Sequence, residues 1–150
     1  MDAIIVTSGE KWVGYGFRSF SSVIEEIMHN AQRKIVMTAY IISDIKIIKN
    51  LKEPLSKGVS VEIFIYHPES SPSSIIDEIY EMKRYYANLR VDIIRDEILH
   101  AKVIIVDESM VLLGSANPTL SGMVKNYELG LFFRDGEIAQ RILDLLRRLN

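Results

Sequence analysis

Residues 100–117 read His-Ala-Lys-Val-Ile-Ile-Val-Asp-Glu-Ser-Met-Val-Leu-Leu-Gly-Ser-Ala-Asn, and this segment predicts two adjacent strands of a buried sheet. Val103 to Val106 is a continuous run of β-branched residues, which is typical of a central strand covered on both faces. Asp107 to Ser109 has the composition of a tight turn, so a returning strand is expected over Met110 to Leu113. The return brings the Gly-Ser-Ala-Asn sequence back to the end of the sheet where His100 lies.

The two polar residues before the apolar run are predicted to share a face. Side chains at i and i+2 of an extended segment point the same way, so His100 and Lys102 are expected side by side. An imidazole and an ammonium are then presented together. The first is a nucleophile or base, and the second is a point charge for an anion.

The composition indicates one globular domain over residues 1–150, because 48% of the 150 residues are hydrophobic and 25% are charged. The net charge of −2 does not favour nucleic-acid binding, so any such binding is expected to depend on a local patch. The chain has no cysteine, which excludes disulfides and fits a reducing compartment. Neither a secretory leader nor a run of roughly 20 apolar residues is found, so a cytoplasmic, soluble protein is predicted.

Helical and strand-like patterns alternate along most of the chain. Strands separated by helices pair in parallel through right-handed crossovers, so the order predicts an α/β fold. The expected sheet is mixed, largely parallel, of about seven strands, with helices on both faces. The predicted helices are Phe17–Ala31, Ile45–Lys57, Ile75–Asn88 and Glu137–Leu149, and the other predicted strands are Ile4–Val6, Lys34–Ser43, Val59–Tyr66, Arg90–Arg95 and Tyr127–Phe133.

Loops after the parallel strands are candidate ligand sites, because ligands collect at the carboxyl ends of such strands. The segments 40–43 and 67–74 are therefore expected at the rim. For Tyr40 and His67 individually, a packing or loop role is favoured. The glycine-rich segment around Trp12 does not have the spacing of a phosphate loop, so a flexible lead-in is favoured there.

Glu128 lies within the apolar run Tyr127–Phe133, where an unpaired carboxylate is costly. A partner for Glu128 is therefore predicted. Asn117 precedes Pro118 at the start of a short predicted helix, and a helix cap alone would account for its amide oxygen.

With its spacing, the 100–117 segment is His-x-Lys-x4-Asp-x6-Gly-Ser-x-Asn, which resembles the motif of the phospholipase D superfamily, in particular its short, single-motif endonuclease branch. The resemblance extends to Glu128, the acid that this branch places on a following strand to hold the nucleophilic histidine. It implies a phospholipase D-like fold. It also implies catalytic roles for His100, Lys102 and Glu128, phosphate binding by Lys102, Ser115 and Asn117, and supporting positions at Asp107 and Gly114.

With this motif, the phosphate-binding role of Asn117 is favoured over the cap, and the helix N-terminus adds N–H groups for an anion. Asp107 is interpreted as a turn residue rather than a catalytic one. The resemblance further implies a phosphohistidine intermediate, two histidines per site, and no metal or cofactor. His29 and His67 lack the x-Lys partner, so the second imidazole is expected from a second copy in a homodimer.

Three functions follow from these observations. The favoured one is a metal-independent phosphodiesterase, a nuclease cleaving DNA or RNA. A phospholipid-cleaving enzyme is disfavoured, and no membrane partner is expected, because no basic amphipathic helix with aromatic anchors is found. The third is a motif-bearing subunit of a larger nucleic-acid-processing complex with little activity alone, to which the acidic balance gives weight.

Overall fold

The structure is a computed structural model that describes residues 2–40, 45–68, 74–117 and 124–149, without the side chains of 45–47 and 74–75. Within these residues it contains eight strands and five α-helices. The strands are β1 (Ile4–Thr7), β2 (Arg18–Ser19), β3 (Lys34–Ala39), β4 (Ser60–Tyr66), β5 (Leu89–Ile94), β6 (Val103–Val106), β7 (Met110–Gly114) and β8 (Leu129–Arg134). The helices are α1 (Phe20–His29), α2 (Ile45–Asn50), α3 (Lys52–Ser56), α4 (Ser74–Tyr85) and α5 (Gly136–Arg147).

All eight strands join one mixed sheet in the order β2-β1-β8-β7-β6-β3-β4-β5, which confirms the predicted α/β class. The pairs β1–β2, β3–β4 and β4–β5 are parallel. The pairs β1–β8, β3–β6, β6–β7 and β7–β8 are antiparallel. The expected sheet was largely parallel, but parallel pairing is found only in β3–β4–β5 and in the short pair β1–β2. Strands β6, β7 and β8 pair antiparallel, because no helix separates β5 from β6 and because β6 and β7 are joined by a tight turn.

The predicted central strand is confirmed, since all four residues of β6 are buried. The turn after it is also found: Asp107 and Glu108 have φ angles of 53° and 56°, in the left-handed region that Asp tolerates better than most residues. The helix predicted over Ile45–Lys57 is instead two helices, α2 and α3. Pro54 accounts for the break, because it has no N–H to donate to the carbonyl four residues earlier.

Helices cover both faces of the sheet. On one face, α1 to α4 pack over a large apolar core that includes Ile35, Ile63 and Ile104. On the other face, α5 packs over a smaller core around Phe64 and Phe133. In the described part of the chain, no helix is both long enough and apolar enough to cross a bilayer.

The strand directions place several chain segments at one end of the sheet. There β1, β3 and β7 end, and β6 and β8 begin, as the pairs Thr7–Leu129, Met37–Ile104 and Gly114–Gly130 show. We call this the motif end of the sheet. The turn between β6 and β7 lies at the opposite end.

Candidate active site

His100 and Lys102 lie side by side at the motif end, as the alternation predicted. Both precede β6 rather than forming part of it. The Lys102 Nζ atom lies 3.3 Å from Nδ1 and 3.2 Å from Nε2 of the His100 ring, and it donates a hydrogen bond of 3.0 Å to the His100 carbonyl. A neutral imidazole has a lone pair at only one of its two nitrogens, so the tautomer decides which of them can accept a hydrogen bond from the ammonium. The nitrogen that carries the lone pair is the one that can act as a nucleophile.

Thr38 on β3 fixes the backbone between these two residues and β6. Its buried hydroxyl donates to the Ala101 carbonyl at 2.7 Å and accepts from the Val103 N–H at 3.0 Å. On the other side, the Gly114 N–H donates to the Lys102 carbonyl at 3.3 Å. The segment carrying the imidazole and the ammonium is therefore held between β3 and β7.

Two opposing effects act on the pKa of Lys102. Burial lowers it below its ordinary value, and the negative charge of Glu128 raises it. Glu128 is thus close enough to Lys102 for its charge to stabilise the ammonium. A partly desolvated ammonium also attracts an anion more strongly than one in water.

Glu128 lies one residue before β8, and not inside a strand as predicted, because the pairing with β1 begins at Leu129. Its carbonyl accepts from the Ser8 N–H at 3.1 Å, and its Oε2 atom accepts from the Asn126 amide at 3.4 Å. The predicted pairing of this half-buried carboxylate is therefore met by Asn126 and by the charge of Lys102. A bond from Glu128 to the His100 ring is not among the described contacts and stays a prediction.

Ser115 joins the end of β7 to the start of β8. Its hydroxyl accepts from the Leu129 N–H at 3.0 Å and is 3.3 Å from the Leu129 carbonyl, to which it donates. The adjacent Gly114 lies directly against Gly130, and a Cβ at Gly114 would be 2.7 Å from the Gly130 Cα atom. The Gly-Ser pair therefore lets the two strands approach closely where the site begins.

Asn117 is half-buried at the motif end. Its Oδ1 atom is buried and has no hydrogen-bond partner among the described residues. The short helix predicted at Pro118, for which Asn117 would be the cap, lies outside those residues. A buried polar atom without a partner is unusual in a native protein and is typical of a position that meets a ligand or an ordered water.

Asp107 lies at the opposite end of β6 from the other motif residues. Its carboxylate accepts the backbone N–H groups of Gln32, Arg33 and Lys34 at 2.9, 2.7 and 3.0 Å. Burial of Asp107 by itself raises its pKa, but these three hydrogen bonds outweigh burial and lower it. Asp107 thus fastens the β6–β7 turn to the start of β3, which agrees with a turn residue rather than a catalytic one.

Tyr40 contacts the candidate site, although a packing or loop role was favoured for it from sequence. Its ring is edge-on to the His100 ring, with centroids 4.8 Å apart, and it stacks on Tyr66 at 5.3 Å. The Lys102 Nζ atom lies 5.9 Å from the Tyr40 centroid. Its position after a parallel strand was the only sequence signal for this contact.

The other two histidines have different surroundings. His29 ends α1, where its Nδ1 atom pairs with Glu53 at 2.8 Å. His67 follows β4, and its N–H and carbonyl bond to Ile94 and Arg95. Among the described residues, no three His, Asp or Glu side chains are grouped closely enough to hold a metal ion.

An exposed apolar surface adjoins the motif. Ile5, Leu113 and Leu131 form one row across β1, β7 and β8, and Leu129 follows on the same face of β8. Ile5, Leu129 and Leu131 are 44%, 54% and 41% exposed. We call these four residues the apolar row. Helix α5 covers the same face only further along β8, at Phe133.

An imidazole, an ammonium, a carboxylate and an amide whose oxygen has no partner among the described residues lie at one end of a mixed sheet. Together they are suited to the chemistry of an anionic phosphate ester. The family described as "Cardiolipin synthase, PLD-like domain" matches residues 24–149. The chain belongs to the phospholipase D superfamily, whose members are phosphodiesterases.

Individual relatives differ in their names. The chain is 32% identical to the DISARM protein DrmC of Bacillus paralicheniformis over 75% of this chain and 49% of the relative. It is 29% identical to the probable cardiolipin synthase YwiE of Bacillus subtilis over 79% of this chain and 24% of the relative. The chain thus spans about half and about a quarter of the lengths of these two relatives.

The solved structure of Nuc from Salmonella typhimurium, a phospholipase D family member, has the same fold. It superposes with a TM-score of 0.80 at 22% identity, covering 98% of this chain and 92% of that one. The phospholipase D-like fold expected from the motif is therefore confirmed.

Proposed function

We propose that this chain is a metal-independent phosphodiesterase that cleaves DNA or RNA through a phosphohistidine intermediate at a homodimer interface. The observation that carries the proposal is the contact of the Lys102 ammonium with both His100 ring nitrogens, beside Glu128. Lys102 binds a non-bridging phosphate oxygen while the unprotonated His100 nitrogen attacks phosphorus. Ser115 and Asn117 are the further phosphate-binding groups of this proposal.

The proposed reaction has two displacements. In the first, a bond forms between phosphorus and the His100 nitrogen, and the bond to the leaving oxygen breaks as the second imidazole donates a proton to that oxygen. In the second, the same imidazole takes a proton from water, the water oxygen attacks phosphorus, and the phosphorus–nitrogen bond breaks. Glu128 accepts the N–H of the attacking ring in the substrate complex and so selects its tautomer.

A second copy of the chain supplies the second imidazole in this proposal. His29 pairs with Glu53 at the end of α1, and His67 lies in a loop without a neighbouring lysine in the motif pattern. The apolar row supports the association, because exposed aliphatic side chains on a sheet face favour burial against a partner. It adjoins Gly114 and Glu128 along the chain, so a twofold contact there brings two motif ends together.

Nucleic acid is the favoured substrate because of the motif's resemblance to the single-motif endonuclease branch. The match covers 92% of the Nuc chain and 24% of the cardiolipin synthase relative. One relative is a probable cardiolipin synthase, so phospholipid cleavage is the alternative function that the experiments must exclude.

One assay separates these functions. The chain is incubated, with chelator present, with single-stranded DNA, duplex DNA, RNA, a phospholipid and a small chromogenic phosphodiester. Nucleic-acid cleavage that persists with chelator, is lost in His100→Ala and is retained in the matched control His29→Ala is the expected result. Turnover of phospholipid alone, or activity that requires an added divalent ion, contradicts the proposal. Inactivity on every substrate favours a subunit of a larger complex.

Mixing wild-type and His100→Ala chains tests whether two copies of the chain share one active site. If each site needs His100 from both copies, an equal mixture of wild-type and His100→Ala chains, after exchange, has about a quarter of the wild-type activity at the same total concentration. Independent sites would retain about half. The second result contradicts the dimeric mechanism but leaves the phosphodiesterase activity itself in place.

A further inference from the structure

An exposed aromatic surface lies beside the candidate active site and has no role in the reaction described above. Trp12 and Tyr15 in the segment 9–17 are 42% and 75% exposed, and Tyr127 is 48% exposed. We call segment 9–17 the aromatic loop. Exposed aromatic rings grouped in this way are typical of a surface that binds something flat or apolar.

The Trp12 ring of the aromatic loop is held by a specific contact with Tyr127. Trp12 and Tyr127 pack edge to face with centroids 5.1 Å apart. Gly9 has a φ of 101°, and a Cβ there would lie 2.5 Å from the Tyr127 ring, so only glycine lets the ring lie this close. The N–H groups of Trp12 and Val13 both donate to the Gly9 carbonyl at 3.1 Å. The loop is therefore a hydrogen-bonded turn built against Tyr127.

The backbone links this surface to the candidate active site through Glu128. Tyr127 immediately precedes Glu128, and Ser8, which precedes the aromatic loop, donates its N–H to the Glu128 carbonyl at 3.1 Å. The Glu128 charge in turn acts on Lys102, which contacts His100. A chain molecule whose phosphate lies at His100 can therefore extend towards Trp12.

The charges favour bases over a lipid surface as the occupant. The aromatic loop carries one Glu and one Lys, and the whole chain has a net charge of −2. The nearby Arg18 is already paired with Glu26. Electrostatic attraction to an anionic bilayer or to a duplex backbone is therefore weak here. Base stacking on aromatic rings supplies affinity that does not depend on net charge.

We propose that the aromatic loop and Tyr127 form a stacking site for unpaired bases next to the phosphate that is cleaved. The inference rests on the proposed function and narrows its substrate to a nucleic acid that is single-stranded on this side of the phosphate. Bases in a duplex stack on one another, so their faces are not available to Trp12 or Tyr15.

Trp12 is the only tryptophan of the chain and therefore reports on its own site. The His100→Ala chain, which is expected to leave the substrate intact, is titrated with a thymidine oligonucleotide, with a duplex of equal length and with anionic phospholipid vesicles. We expect saturable quenching of Trp12 emission by the single strand, with a dissociation constant at least about tenfold below that of the duplex.

Tyr15→Ala provides the second measurement, with Tyr85→Ala as the matched control, because Tyr85 is 81% exposed at the end of α4. We expect Tyr15→Ala to weaken single-strand binding roughly tenfold and Tyr85→Ala to leave it unchanged. Equal effects of the two variants would contradict the inference. So would an unquenched Trp12 with excess oligonucleotide, or a blue-shifted response to vesicles alone.

The small chromogenic phosphodiester keeps this inference separate from the proposed function. The small ester carries no neighbouring nucleotide whose base could stack on Trp12. Trp12→Ala is therefore expected to cleave it at the wild-type rate. Cleavage of the small ester without quenching by the oligonucleotide would overturn the stacking site and leave the phosphodiesterase in place. If the wild-type chain does not cleave the small ester and the oligonucleotide does not quench Trp12, the proposed function is overturned as well.

Discussion

The Lys102 ammonium lies between 3.2 and 3.3 Å from the two ring nitrogens of His100 within a single chain. The contact is made by residues two apart in an extended segment, so the backbone itself sets their proximity. Thr38 fixes that segment through hydrogen bonds to the residues on either side of Lys102. The two side chains are therefore close together before any substrate or second copy arrives, and their surroundings act on the pKa of Lys102.

Replacing Glu128 by Gln tests whether the charge of Glu128 raises the pKa of Lys102. The Glu128 charge raises the pKa of Lys102 against the lowering effect of burial, so its removal lowers that pKa further. In the proposed mechanism Lys102 binds phosphate as the ammonium, so activity should fall as pH rises through its pKa. The alkaline limb of the kcat/KM profile should therefore move to lower pH, and the rate at neutral pH should fall about 100-fold. Glu108→Gln, in the turn at the opposite end of β6, should leave the profile unchanged, and matching profiles for the two variants would contradict this account.

Tyr40 is expected to position the His100 ring, because its own ring lies edge-on to the imidazole and is backed by Tyr66. Tyr40→Ala should lower kcat about tenfold with little change in KM, since the imidazole then samples unproductive orientations. Tyr40→Phe keeps the ring and should retain wild-type kcat. Steady-state kinetics on both variants test whether the Tyr40 ring has this positioning role. Circular dichroism verifies that the variants fold. A Phe variant as impaired as the Ala variant would assign the effect to the hydroxyl instead.

Local patterns predicted the central part of this structure well. The β-branched run Val103–Val106 and the turn at Asp107 are signals within a few residues, and the alternation before them placed His100 beside Lys102. These features depend on backbone geometry alone, which a short sequence specifies.

Several contacts between distant segments around the site were not predicted. The Asp107 carboxylate binds N–H groups 73 to 75 residues away, and Thr38 binds a carbonyl 63 residues away. The antiparallel pairing of β3 with β6 and the Tyr40–His100 contact are of the same kind. No periodicity within either partner encodes such a pairing, because it depends on which strands become neighbours in the sheet.

Gly130→Ala should destabilise the fold. Its Cβ would lie 2.6 Å from the Leu113 carbonyl and 2.7 Å from the Phe20 ring, so β7, β8 and α1 must separate. We expect a loss of about 1–3 kcal/mol in the free energy of unfolding, measured with urea. Gly136→Ala is the matched control, because its Cβ would meet nothing closer than 3.7 Å at the start of α5. It should be neutral or stabilising by up to about 1 kcal/mol, and equal losses in the two variants would contradict the packing argument.

Asp107→Asn should lower stability without lowering activity, because Asp107 lies at the far end of β6 from His100. Asn tolerates the left-handed backbone but lacks the charge that strengthens three backbone hydrogen bonds. The loss at neutral pH should be about 1 kcal/mol. Because folding lowers the pKa of Asp107, its stabilisation is present above the unfolded value of 3.8 and is lost as pH falls through the folded one. Urea unfolding should therefore show the difference from wild type shrinking below about pH 4, and a constant difference would contradict this origin.

Arg147→Met tests the ion pair that ties α5 to the sheet. Glu62 on β4 is 4% exposed and pairs with Arg147 at 2.6 Å and with Arg90 at 3.3 Å. Burial and a hydrogen bond with Asp92 raise the pKa of Glu62, while Arg147 opposes the rise. We expect a loss of about 2 kcal/mol at neutral pH, below the value for a fully buried pair because Arg147 is partly exposed and Arg90 remains.

The pH dependence of this loss identifies Glu62 as its source. A carboxyl whose pKa is raised by folding stabilises the fold most when it is protonated, and that contribution declines as pH rises from the unfolded value of 4.5 through the folded one. Without Arg147 the pKa of Glu62 rises further, so Arg147→Met should lose more stability than wild type as the pH rises above the unfolded value of 4.5. Adding Glu62→Gln should remove that extra slope, because the amide does not ionise. Arg148→Met, one residue along α5, is the matched control, and a slope that persists in the double variant would show that another group is responsible.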